Sequence, residues 1–255
     1  MPFRFVNHPL VLCAFSLLIL WTAAYLGSRY RKQRDLDGEE KDELNLVAGG
    51  VLTLLGLIIG FSFSMAVGRF DLRMASEANE ANAIGTEYLR AELLDADHAT
   101  ALQTGLARYL AQRIEWYRTR DARNVPRVER LQNATEHTMW AIVRSAATAR
   151  ETPVRALVVS GMNDVIDDAG YTKAAWANRI PRTAWVLMIL IAAFASVLLG
   201  YNVRSASARF RGIYLLPITV SIALFLVADL DSTRGGLIMI SPNDLLALQD
   251  QINSQ

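Results

Sequence analysis

Few residues in this chain are arranged for covalent chemistry. The histidines, His8, His98 and His137, stand far apart, and none has a metal-ligand spacing. Asp95, Asp97 and His98 are close enough to attract a metal, yet the same trio suits a solvated junction between helices. No phosphate-cradling glycine loop and no nucleophile elbow occurs, and Gly235-Gly236 after Arg234 reads as a turn at a membrane surface. The expectation is a protein that is not an enzyme and needs no catalytic residue, metal or cofactor. Ion passage is the chemistry the pattern does offer. At about 100° per residue, Leu55, Ile58, Ser62, Met65, Arg69 and Arg73 share one side of a helix. Opposite them Gly56, Gly60, Ser64 and Gly68 recur every fourth residue, the spacing that lets membrane helices approach closely. If that small stripe packs against neighbours, the other face is free to line an axis. Ile58 and Met65 would then be apolar constrictions, and Arg69 and Arg73 cationic rings that favour anions. The same residues also read as packing without conduction, with the arginines snorkelling to the interface. A third reading is an ion-pair ladder of Arg69, Asp71, Arg73 and Glu77.

Further along, Glu77, Asn79, Glu80, Asn82, Thr86 and Glu87 make a polar stretch that suits either a cation vestibule or a hydrogen-bonded seam. Asp229, Asp231 and Arg234 form a comparable group at a membrane edge. No charge lies within a span, which removes the usual mark of proton-coupled transport or a voltage sensor.

The elements that position these groups follow from hydropathy. The chain has 255 residues, 52% hydrophobic and 20% charged, with the apolar residues gathered in blocks. Leu44 to Leu94 is one unbroken helical pattern that begins as an uncharged span and turns charged at Arg69-Phe70-Asp71 without a proline. Spans are expected at about 10–26, 46–67, 184–203 and 213–228. The expected organisation is a first transmembrane hairpin, 1–68; a helical soluble domain, 69–180; a second hairpin, 181–228; and a tail, 229–255, with a short amphipathic helix. Fold class is therefore all-α, with a central helical bundle continuous with the second span.

Within the soluble domain Leu102, Leu106, Tyr109, Leu110, Ile114 and Tyr117 make one apolar stripe. Val128, Leu131, Thr135, Met139, Ile142 and Val143 make a second. Leu157, Val158, Met162, Val165 and Ile166 make a third, ending at Gly170. Thr152-Pro153 reads as a helix start, and Ser241 as the cap of the last helix with Asp244 in its first turn.

A net charge of +1 and the lack of a basic groove exclude nucleic acid as a partner. Cys13 is the only cysteine, which excludes an intramolecular disulfide. Arg4 before an apolar core resembles a signal peptide, but Arg29, Arg31, Lys32 and Arg34 directly after it look like a stop-transfer flank. Arg204, Arg209 and Arg211 lean towards cytoplasmic hairpin loops, whereas Arg69, Arg73, Arg179 and Arg182 argue the other way.

The stretch Gly60-Phe61-Ser62-Phe63-Ser64-Met65, then Arg69-Phe70-Asp71 and Glu80 to Arg90, resembles the bestrophin-like family of bacterial membrane proteins. So do Asn178-Arg179-Ile180-Pro181 and the run Asp231 to Ile238. The resemblance implies a relationship to bestrophins, pentameric anion channels whose second span lines the pore. It therefore implies a homo-oligomer in a lipid bilayer, a bacterial inner membrane, with inorganic ions as partners and a cytoplasmic helical domain. Calcium gating is not implied, because no clasp like that of animal bestrophins is present. The second class of function is a non-conducting sensor or scaffold whose helical domain binds a ligand or partner.

Overall fold

In the computed structural model, which describes residues 8–31, 38–202 and 210–254, every regular element is helical. The helices are α1 Pro9–Arg31, α2 Gly38–Arg90, α3 Ala96–Arg118, α4 Val125–Ala149, α5 Pro153–Ala177, α6 Arg182–Tyr201, α7 Leu216–Asp231 and α8 Asn243–Asn253. A 3-10 turn, Ala91–Leu93, follows α2, and a π-helical turn, Phe210–Leu215, leads into α7. Four helical stretches are long and apolar enough to cross a bilayer: Pro9–Tyr30, Asp42–Leu93, Pro153–Tyr201 and Ile213–Asp231. The chain is thus all-α with four membrane-spanning segments. Arg4, Lys32, Arg34, Arg204 and Arg209 lie outside the described residues.

Two compact units make up the chain, residues 1–69 with 179–238, and residues 70–178 with 239–255. Helix α2, 53 residues long, contributes to both. The tail from residue 229 is divided between them after Ile238.

In the first unit α1 packs along α6 and α7. Leu12, Leu20 and Ala24 of α1, Met188, Ala192 and Ala195 of α6, and Leu224, Val227 and Ala228 of α7 are buried. Large apolar side chains such as Leu18, Leu190, Phe194 and Ile222 point outwards, the surface a lipid-embedded bundle requires. Two glycines bring α1 and α6 together. A Cβ on Gly200 would collide with the Ala24 carbonyl, and one on Gly27 with the Val197 carbonyl. Close backbone approach through small residues drives helix association where no hydrophobic effect operates.

The second unit has a continuous apolar core. Leu102, Leu106, Tyr109, Leu110 and Ile114 of α3 meet Val128, Met139 and Val143 of α4, and Val158, Met162 and Val165 of α5. Leu131 and Leu157, expected in the stripes, are instead 44% and 52% exposed. Helix α5 does not stop at Gly170 but runs to Ala177. That glycine keeps a negative φ, so it does not form a left-handed terminus. Thr152 caps α5 as expected, its Oγ1 accepting from Arg155 N at 3.3 Å. Ser241 does not cap α8; the first-turn N–H of Leu245 donates instead to Glu77 Oε1 at 2.9 Å.

These contacts separate two kinds of glycine. Gly200→Val should destabilise the membrane unit by about 3 kcal/mol or more, because backbone atoms must move. Gly170→Ala, with open space around its Cβ, should stabilise by about 0.5–1 kcal/mol. Thermal unfolding of the detergent-purified variants measures both.

Candidate functional site

Along its apolar part α2 has a buried side and an open one. Ala48, Leu55, Ser62 and Ala66 are buried, and Arg73, Glu77 and Glu80 continue the same side beyond the span. The glycine stripe lies opposite. Gly56, Gly60, Ser64 and Gly68 are exposed, and a Cβ on any of the three glycines would find no atom within 4 Å. The expected free face is therefore corrected at three positions. Leu55, Ser62 and Arg73 do not lie on a free face, because they pack within the chain; the small residues are the ones left open. Ile58 is half-buried and Met65 is 44% exposed, at the borders between the two sides.

Neither arginine stands as an unengaged cation. Arg73, 1% exposed, donates from Nε to the Ala175 carbonyl at 3.3 Å and from Nη2 to the Asn178 carbonyl at 3.1 Å. Those carbonyls belong to the end of α5, where orphan acceptors and the helix dipole both favour a cation. Arg69 pairs with Asp231, Nη1 to Oδ1 at 3.5 Å.

Asp231 is the hub of a cluster at the end of α7. Arg179 Nε approaches its Oδ2 at 3.6 Å, and Ile180 N donates to Oδ1 at 3.0 Å. The carboxylate is fully buried, so two guanidinium groups and a peptide N–H replace its lost hydration. Two residues earlier, Asp229 accepts from Leu237 N and Ile238 N, both at 2.7 Å. Gly236 permits this fold-back, since its Cβ would stand 2.9 Å from the Asp229 carbonyl oxygen. Arg234 is half-buried in the same segment. Asp229 and Asp231 thus tie the chain after α7 to the turn before α6.

In the second unit the polar stretch of α2 faces inwards at three acids. Glu80 binds Arg113 of α3 bidentately, Oε1 to Nη2 at 2.6 Å and Oε2 to Nε at 2.7 Å, with both residues buried. Arg113 also lies over the Trp116 ring at 4.8 Å and donates from Nη1 to the Gln132 amide oxygen at 3.3 Å. Burial opposes its charge, but Glu80 outweighs that and holds the guanidinium above its ordinary range. Arg113 was not singled out in the sequence, although a charge spaced as part of the Leu106–Leu110–Tyr117 stripe is the signal for it.

Among the described residues Glu87 has no such partner. It is 0% exposed, and neither carboxylate oxygen has a hydrogen bond. Gly161 of α5 makes room for it, since a Cβ there would collide with Glu87 Oε2 and Arg90 Nη1. Burial pushes the carboxyl up to about 8, with Arg90 pulling it down and Asp164 adding to the rise. Glu87 therefore holds its proton at neutral pH. Glu77 is raised to about 7, by burial first, with Asp244 adding and the Leu245 N–H opposing. Asn82 and Thr86 are exposed and line a cleft of about 430 Å³ between α2 and α8.

Asp95 and His98 form a hydrogen bond of 2.6 Å, and Arg155 pairs with Asp95 at 3.0 Å. Among the described residues no three His, Cys, Asp or Glu side chains converge as metal ligands.

An all-helical membrane fold with a buried polar cluster at the span ends and an acid-rich helical unit defines a class of integral membrane protein. The chain belongs to the bestrophin-like family: the Bestrophin-like domain matches residues 10–245. Its fold is similar to that of a bacterial Bestrophin homolog from Klebsiella pneumoniae. A tryptophan-to-alanine mutant of that protein aligns at TM-score 0.64 and 13% identity, covering 95% of this chain and 94% of the other. The structure of the homolog phased on zinc gives 0.62 and 12%, covering 96% and 97%. No curated protein matches the chain. Family and fold together make it a channel-like protein of the lipid bilayer.

Two substitutions test how the buried charges are held. Asp231→Ala should cost about 3 kcal/mol, because it leaves two guanidinium groups without their partner. Glu87→Gln should act in the opposite direction at neutral pH. The native carboxyl is raised from 4.5 to about 8, so folding takes up a proton and stability falls as pH rises from 4.5 to about 8. The glutamine should remove that slope and stabilise by about 3 kcal/mol at pH 7, with little gain at pH 4.5. Denaturation midpoints across pH measure it.

Proposed function

We propose that the protein is a homo-oligomeric ion channel or pore lined by the open side of α2. One observation carries this: the uncharged stretch of α2 turns Thr53, Gly56, Gly60, Ser64 and Gly68 away from the rest of the described chain. Glycine and serine make a poor lipid-facing surface, but they suit close approach of a second helix or contact with water. Leu57 and Phe61 project from the same side, 53% and 64% exposed, and Met65 stands at its edge. In a ring of copies these side chains would form the dewetting constriction, with Ile58 behind them. Membership of the bestrophin-like family supports the same reading.

An anion preference rested on Arg69 and Arg73, and both are engaged within the chain. Asp71 is exposed on the Gly60–Ser64 side, just beyond the uncharged stretch, and none of the described residues forms an ion pair with it. A ring of Asp71 carboxylates favours cations. A non-conducting sensor is the second reading. The cleft lined by Asn82, Thr86, Asp244 and Gln251 favours it, because a small polar ligand fits there.

Purified protein reconstituted in planar bilayers under a KCl gradient is expected to conduct. Phe61→Ala should raise single-channel conductance severalfold, and Asp71→Asn should shift the reversal potential towards that of chloride. A silent bilayer with protein present as monomer or dimer would favour the sensor.

A further inference from the structure

Helix α8 follows a non-helical segment, residues 232–242, and lies on the polar part of α2. Leu245 is fully buried, and Leu248 meets Gly85, where a Cβ would stand 3.0 Å from Leu248 Cδ1. The remaining attachment is polar. Glu77, 3% exposed, supplies the cap that Ser241 does not, accepting from Leu245 N at 2.9 Å. Its carboxyl also meets the side chain of Asp244 in the first turn of α8. Two acids therefore stand side by side where α8 begins.

The surrounding charges do not neutralise that pair. On α2, Arg73 is turned to the carbonyls at the end of α5, and Glu80 is bound by Arg113. From α3 the nearby titratable group is the Tyr117 phenol, which is raised above its ordinary range by burial and by Glu80. From α8 it is Asp244 itself. Beside the contact α2 and α8 diverge around the 430 Å³ cleft, so apolar packing covers only part of the helix.

We propose that α8 is a proton-dependent latch on α2. With the Glu77 carboxyl protonated, one oxygen accepts from Leu245 N and the hydroxyl donates to the Asp244 carboxylate. When the proton leaves to water, the buried Glu77 carboxylate faces the Asp244 carboxylate where α8 begins, and α8 detaches. Docked, Glu77 titrates near 7; released into water it returns to its ordinary 4.5. Docking thus takes up a proton between those values. It weakens about tenfold per pH unit from about 4.5 to about 7 and is constant above.

Hydrogen exchange of the full chain in detergent, corrected for the intrinsic pH dependence of amide exchange, tests the latch. Protection of the α8 amides should fall about fortyfold between pH 5 and pH 7, while the core amides of α3 hold steady. Glu77→Gln keeps both hydrogen bonds without a titrating group, and it should leave α8 protected and the slope flat. Asp244→Asn, at an exposed position, should shrink the fall. A wild-type change of less than about threefold would overturn the latch. So would an equal fall in α3, or a slope that survives in both variants.

Discussion

Every charge this chain withdraws from water must be compensated, and the way each one is compensated organises the molecule. Asp231 is met by Arg69, Arg179 and a peptide N–H, which joins three separate stretches of sequence at the edge of the membrane unit. Arg113 is met by Glu80 in bidentate geometry, and Arg73 by the open carbonyls at the end of α5. A buried ion pair returns little net stability, but losing one partner is expensive. Such pairs therefore select one arrangement of helices among many that would bury the same apolar area.

The acids of α2 show three outcomes of that constraint. Glu80 is paired with the Arg113 guanidinium. Glu77 receives a backbone N–H and a second acid, and Glu87 receives neither hydrogen bond nor ion pair. Burial raises the carboxyls of the latter two, Glu77 to about 7 and Glu87 to about 8. The same α2 helix carries the apolar span and contributes to both units.

Small residues play two different roles in the membrane unit. Gly27 and Gly200 sit where two backbones touch and tolerate no side chain. A Cβ on Gly56, Gly60 or Gly68 of α2 would meet none of the described residues within 4 Å. Both sets look alike in sequence, because a glycine records only the absence of a side chain and not what lies opposite. That is why the stripe was legible while its direction was not.

Local periodicity and composition determined the helices, the four spans and most of the core, since a buried stripe must repeat with the helical turn. Leu102, Leu106, Tyr109, Val128, Met139 and Val158 all lie inside as their spacing demands. Residues at the margin of a stripe depend on the neighbour, so Leu131 and Leu157 end up exposed. The polar groups of the candidate site were visible as a cluster along α2 and after α7. Their partners were not, because Glu77 with Leu245 and Arg69 with Asp231 join residues more than half the chain apart. Spacing along a chain reports which side of a helix a residue occupies. Only the tertiary structure decides whether that side meets water, lipid, a carbonyl or an opposite charge, and this sets the charge state of each acid and the face of α2 left open.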